Sequence, residues 1–345
     1  MAHLNGVKTG VGKYSSNFCF KMRIKGLDTL RFILALVVVL GHGTTPSIAT
    51  KNVVLDKYIN AVLGNSFVGI AAVMAFFIIS GFCIHFPYTG TKELKIIEFY
   101  IKRLLRIALP ATVAFLIYKW TLNIEMGVIW SLICEIIYYF LYPAVRMAIK
   151  NINTLITIAF ILSLFISLYT SYSNEEYNGD FHRNGYWVTW AVGLPIWLLG
   201  VKLAEVISKD EKIEYKIVTS GEIITYRAIA WLGAFLSSVL RFHVGVAYTF
   251  TLLFLSLFLY VWIEKEIVYY YKRTEGKAFI FGGEMSYSLY LTHALIIEMA
   301  IELFGKPLDN YVKVGTICIS IVASILFYFS IEKPSHTLAR RARFQ

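Results

Sequence analysis

With 345 residues, 57% of them hydrophobic and only 16% charged, and a mean hydropathy of +0.63, the chain is too apolar for an ordinary soluble domain. Its net charge of +11 does not indicate nucleic acid as a partner, because Lys and Arg lie between the apolar runs and form no single basic domain. The cysteines Cys19, Cys83, Cys134 and Cys318 lack metal-ligand spacing, which argues against a zinc site or a disulfide framework.

Residues 1–26 are polar and basic with no apolar core, so they read as a cytoplasmic segment and not a cleavable signal peptide. Ten apolar runs then follow, at 27–45, 62–86, 104–122, 127–149, 151–170, 184–205, 223–240, 244–263, 284–304 and 311–331. Runs of this length must be helices, since unpaired backbone groups are costly in hydrocarbon. The chain is therefore predicted to be an all-α polytopic membrane protein, with its lipid-embedded domain over 27–331 and a basic cytoplasmic tail over 332–345. Of the 33 Lys and Arg residues, 24 fall in segments on the side of the termini and 7 on the other, which predicts that both termini are cytoplasmic.

The first run holds Asp28, Arg31 and His42, and charged or titratable groups at membrane depth are candidates for function. Eleven positions separate Arg31 from His42, which returns to almost the same helix face about 16 Å further on, so the two are expected to line one cavity at two depths. The third run opens on Arg103 and Arg106, one turn apart, as paired guanidinium groups suited to phosphate. The fourth carries Glu135 at a depth comparable with His42, a carboxylate that could orient the imidazole. The ninth carries Ser286, Tyr290 and His293 at helical spacing. His293 is expected nearer the inner half of the membrane and apart from His42. Trp130, Tyr186 and Trp187 are candidates to stack on a sugar face.

Several strings stand in a telling order: Gly26-Leu27-Asp28-Thr29-Leu30-Arg31 followed by ten residues and His42, Phe76-Phe77-Ile78-Ile79-Ser80-Gly81-Phe82, and Lys102-Arg103-Leu104-Leu105-Arg106 with Pro110. Trp130-Ser131-Leu132 with Glu135, Ser286-Tyr287-Ser288-Leu289-Tyr290 with His293, and Glu332-Lys333-Pro334 complete them. Together they resemble the acyltransferase-3 family over almost the whole chain. The resemblance implies a multi-span helical protein of the bacterial inner membrane that moves an acyl group, usually acetyl, from cytoplasmic acetyl-CoA to a glycan-like acceptor such as a lipid-linked sugar.

A thioester is already activated, so the chemistry needs a base for a weakly acidic hydroxyl, and an imidazole of ordinary pKa near 6.5 suits that role. His42 is the expected base, Glu135 its partner, and Arg31, Arg103, Arg106, Ser286, Tyr290 and His293 the expected donor contacts. A non-glycan hydroxyl or an amine as acceptor stays open. A proton-coupled carrier is the rival from another class, and two related halves, which would favour it, are not visible in the sequence.

Overall fold

In the computed structural model of the chain, the described residues are 24–90, 92–122, 128–173, 181, 186–210, 213 and 216–342, and among them all regular structure is helical. In order the helices are α1 (Leu27–Val39), α2 (Val53–Ser66), α3 (Gly69–His85), α4 (Ile96–Thr121), α5 (Ile129–Met147) and α6 (Ile152–Ser173). They continue as α7 (Tyr186–Lys209), α8 (Ser220–Val239), α9 (Tyr248–Tyr271), α10 (Lys277–Glu284), α11 (Ser286–Phe304), α12 (Asn310–Phe327) and α13 (Lys333–Arg341). Eight helical stretches among the described residues are long and apolar enough to cross a membrane. The 26-residue α4 and the 24-residue α9 occupy two further expected runs but are not among those eight, and each carries a cluster of charges, Lys102 to Arg106 in α4 and Glu264 to Glu266 in α9.

The centre of the bundle is the pair α3 and α7. Gly81 and Gly200 let the two backbones meet: a Cβ on Gly81 would lie 2.1 Å from the Trp197 carbonyl oxygen, and one on Gly200 2.0 Å from that of Ile78. Around this contact Met74, Ile78 and Phe82 of α3 interlock with Ile196, Trp197 and Val201 of α7, all of them buried. At the periphery the apolar preference inverts. Ile158, Ile161, Phe165 and Leu168 of α6, with Val314, Ile319 and Val322 of α12, are exposed, as side chains facing lipid tails should be.

Three boundaries differ from the sequence reading. The run at 62–86 is broken at Phe67 and Val68, whose extended backbone separates α2 from α3. That corner seats against the end of α1 because Gly41 has no side chain there; a Cβ would come within 2.6 Å of the Phe67 carbonyl oxygen. A short helix, α10, precedes α11 and packs on the start of α1, with Gly283 against Asp28 and Gly282 against the Phe32 ring. Finally, residues 333–341 of the expected tail form α13, which lies along α4 and donates the Ser335 hydroxyl to the Leu105 carbonyl.

Candidate active site

A cavity of about 780 Å³ opens between the start of α1, one side of α3, the first half of α4 and of α5, the α10–α11 junction and α13. Its volume is in the range of sites that hold a cofactor-sized molecule. Arg31, Arg103 and Arg106 all line it, joined by Lys333 and Arg340 of α13.

The three guanidinium groups are held differently. Arg31 donates to Cys83 Sγ at 2.9 Å and pairs with Asp28 at 3.5 Å. Arg103 stacks over the rings of Phe99 (5.7 Å) and Tyr139 (6.0 Å). Neither Arg103 nor Arg106 makes a hydrogen bond or ion pair to a carboxylate among the described residues, which leaves two forked donors facing the cavity for an anionic ligand. The aromatic seat of Arg103 is itself braced. Phe99 packs on Tyr142 at 5.1 Å, and Tyr142 OH bonds His85 Nδ1 at 3.0 Å. His85 Nε2 in turn meets Glu205 Oε1 at 2.7 Å.

Deeper in, Glu135 accepts hydrogen bonds from Ser80 Oγ (2.6 Å) and Tyr139 OH (2.5 Å). It therefore belongs to the arginine-lined cavity and is not hydrogen-bonded to His42. Glu332 accepts from the backbone N–H and the hydroxyl of Ser288, at 3.0 and 2.5 Å. The cavity narrows where Tyr290 OH and Ser131 Oγ bond each other at 2.6 Å, with the Phe76 ring 6.3 Å from that of Tyr290.

The histidines lie beyond this constriction. The buried His293 ring is 5.9 Å from that of Tyr290, and the His42 ring stands edge-on to His293 at 4.9 Å. His42 is exposed on the far side and does not line the cavity, so of the pair Arg31 and His42 only Arg31 reaches it. The expected separation of His293 from His42 in depth is also absent. The cause is α10, which carries the chain to the level of Asp28 before α11 begins, so that His293, ten residues after Gly283, rises about 15 Å to meet His42.

Local geometry fixes both tautomers. His42 Nδ1 lies 2.7 Å from the Val38 carbonyl and His293 Nδ1 3.0 Å from that of Leu289. A carbonyl only accepts, so each Nδ1 carries a hydrogen, and in its neutral form each ring keeps a bare Nε2. The Nε2 of His293 is buried and has no hydrogen-bond partner among the described residues. Around His42 the helix unwinds into a π-helical turn, Leu40–Thr44, closed by Gly43 at φ 86°. Thr44 and Thr45 donate to the Val39 and Leu40 carbonyls that this turn releases.

Residues 24–332 match the sequence profile described as Acyltransferase domain. The chain belongs to the acyltransferase-3 family. Comparison with curated proteins and with solved structures returns no match.

Of the expected sugar contacts of this acyltransferase-3 protein, Trp130 does not line the cavity. Trp130 is buried between Phe77 and Phe181, with ring centroids at 6.4 and 6.1 Å, and its faces are covered. The side chains of Tyr186 and Trp187 lie outside the described residues. Ser286 lines the cavity and donates to the Gly283 carbonyl at 2.8 Å. Residues that the sequence did not single out for the site also line it, notably Cys83, Tyr139, Tyr287, His336 and Arg340. Only the last two carried a signal, as titratable groups one turn apart after the Glu332-Lys333-Pro334 string.

Proposed function

We propose that this protein is an integral-membrane O-acyltransferase of a bacterial inner membrane. It takes acetyl from acetyl-CoA bound on the cytoplasmic side and passes it to a hydroxyl of a surface or lipid-linked glycan. The reading uses ten spans, with α4 and α9 crossing along with the eight more apolar stretches, and both termini in the cytoplasm. One observation carries it: a cavity lined by Arg103 and Arg106, neither hydrogen-bonded to a carboxylate among the described residues, ends at Tyr290, and two histidines with bare Nε2 atoms continue from there towards the other end of the bundle.

Arg103 and Arg106 hold the anionic nucleotide end of the donor, and the pantetheine arm runs past Glu135 towards the Ser131–Tyr290 closure. Once the arm has displaced that closure, the thioester carbonyl reaches the histidines. His42 Nε2 takes the proton of the acceptor hydroxyl as its oxygen attacks the thioester carbon. The tetrahedral intermediate then expels the sulfur, and the imidazolium returns the proton to the thiolate. Backbone anchoring of Nδ1 to Val38 keeps the ring in the tautomer this step requires.

The position of His293 between cavity and His42 supports a second reading, in which a histidine Nε2 carries the acetyl group before the acceptor does. Purified protein incubated with labelled acetyl-CoA alone distinguishes the two. Direct transfer leaves the protein unlabelled, whereas a relay labels it and loses the label in the His42→Ala or His293→Ala variant. The enzyme reading itself is tested by thioester turnover. Turnover should depend on added glycan and fall by at least about 10²-fold in His42→Ala with acetyl-CoA binding retained. Undiminished glycan-dependent turnover by a folded His42→Ala variant would remove this residue from the mechanism.

A further inference from the structure

A second, smaller cavity of about 230 Å³ lies between α4 and α5, lined by Ala108, Ala111, Thr112 and Phe115 on one side and by Ile129, Leu132, Ile133 and Ile136 on the other. It exists because α4 presents two alanines and a threonine where α5 presents branched aliphatic side chains. Apart from the Thr112 hydroxyl its lining side chains are wholly apolar, so a sugar or a phosphate entering it would lose its hydrogen bonds to water and gain none. Hydrocarbon is the matching chemistry.

Leu132 lines both cavities. Its neighbours in sequence and on the next turn are Ser131, at the constriction, and Glu135, on the path to it. The buried Leu132 side chain therefore stands between the groove and the large cavity, next to the point where the proposed reaction needs the acyl end of the donor. A chain attached there and longer than acetyl has one apolar space beside it, behind the Leu132 side chain.

We infer that the groove between α4 and α5 is an acyl-chain site that lets the enzyme bind a medium-chain acyl donor in addition to acetyl-CoA, by receiving its hydrocarbon tail. This rests on the donor reading above. Ala108 and Ala111 set its depth, and Leu132 is the partition the tail must turn aside. Each methylene buried there should tighten binding about fourfold, so a few methylenes suffice for a clear preference.

The test is competition against labelled acetyl-CoA on the full-length protein in nanodiscs, with octanoyl-CoA and unlabelled acetyl-CoA as competitors. Octanoyl-CoA should compete at least about tenfold better than acetyl-CoA on the unmodified protein. Ala111→Leu, which fills the groove without touching the larger cavity, should remove that advantage and leave acetyl-CoA affinity unchanged. Ala108→Leu gives a second filling variant should the first fail to fold. Equal competition by the two donors on the unmodified protein, as expected if lipid tails occupy the groove, overturns the acyl-chain site. So does an octanoyl advantage that survives in a folded filling variant. Failure of every acyl-CoA to bind would instead strike the donor reading, and so is distinguishable from failure of this one.

Discussion

At the scale of single residues, the donor end is where charge decides the outcome. Arg103 rests on Phe99 and Tyr139, Arg106 makes no hydrogen bond to a carboxylate among the described residues, and both face a space large enough for a nucleotide. Arg103→Ala or Arg106→Ala should weaken acetyl-CoA binding by about tenfold or more, within the usual 1.5–3 kcal/mol of a hydrogen bond to a charged group. Lysine at either position should restore only part of the loss, since it keeps the charge and loses the fork. Calorimetry reads this directly, and unchanged affinity in both alanine variants would reduce the pair to markers of membrane orientation. These arginines were legible in the sequence because cations at the start of an apolar run are conspicuous. The partners of Glu135 were not, because depth along a helix can be counted from sequence but rotation about its axis cannot. Counting put Glu135 level with His42; rotation turned it to Ser80 and Tyr139.

At the scale of elements, hydropathy located the long helices and missed what short ones do. The eight residues of α10 are too few and too mixed to register as a span, yet they raise the start of α11 and so bring His293 against His42. Likewise α13 reads as a basic tail from its Lys and Arg content, and only its packing on α4 turns Lys333, His336 and Arg340 towards the cavity. The contact of α3 with α7 was hidden for another reason: Gly81 and Gly200 are distant in sequence, and nothing in either string indicates that the other is its neighbour. Gly200→Ala should lower thermal stability by about 1–3 kcal/mol, the usual cost of forcing volume into a packed interior, because the new methyl meets the Ile78 carbonyl. Gly64→Ala, where a Cβ meets nothing within 4 Å, serves as the control and should be neutral or slightly stabilising. A melting curve for Gly200→Ala that matches the control would show that α3 and α7 do not meet at these glycines.

At the scale of the whole molecule, the arginine-lined cavity and the exposed His42 lie towards opposite ends of the bundle, separated by Tyr290 and His293. With the proposed cytoplasmic termini, read from the excess of Lys and Arg on their side, the cavity opens to the cytoplasm, so the proposed reaction begins on one face of the membrane and ends on the other. The most direct measurement uses sealed proteoliposomes in which the protein has a single, protease-verified orientation. Labelled acetyl-CoA is supplied only on the side of the termini, and the glycan acceptor only on the opposite side. Acetylated glycan should appear across the membrane, and none should form when the two reagents exchange sides. Equal product from the exchanged arrangement, or product only when donor and acceptor share a side, would contradict a donor path that runs from the arginine-lined cavity through the bundle to His42.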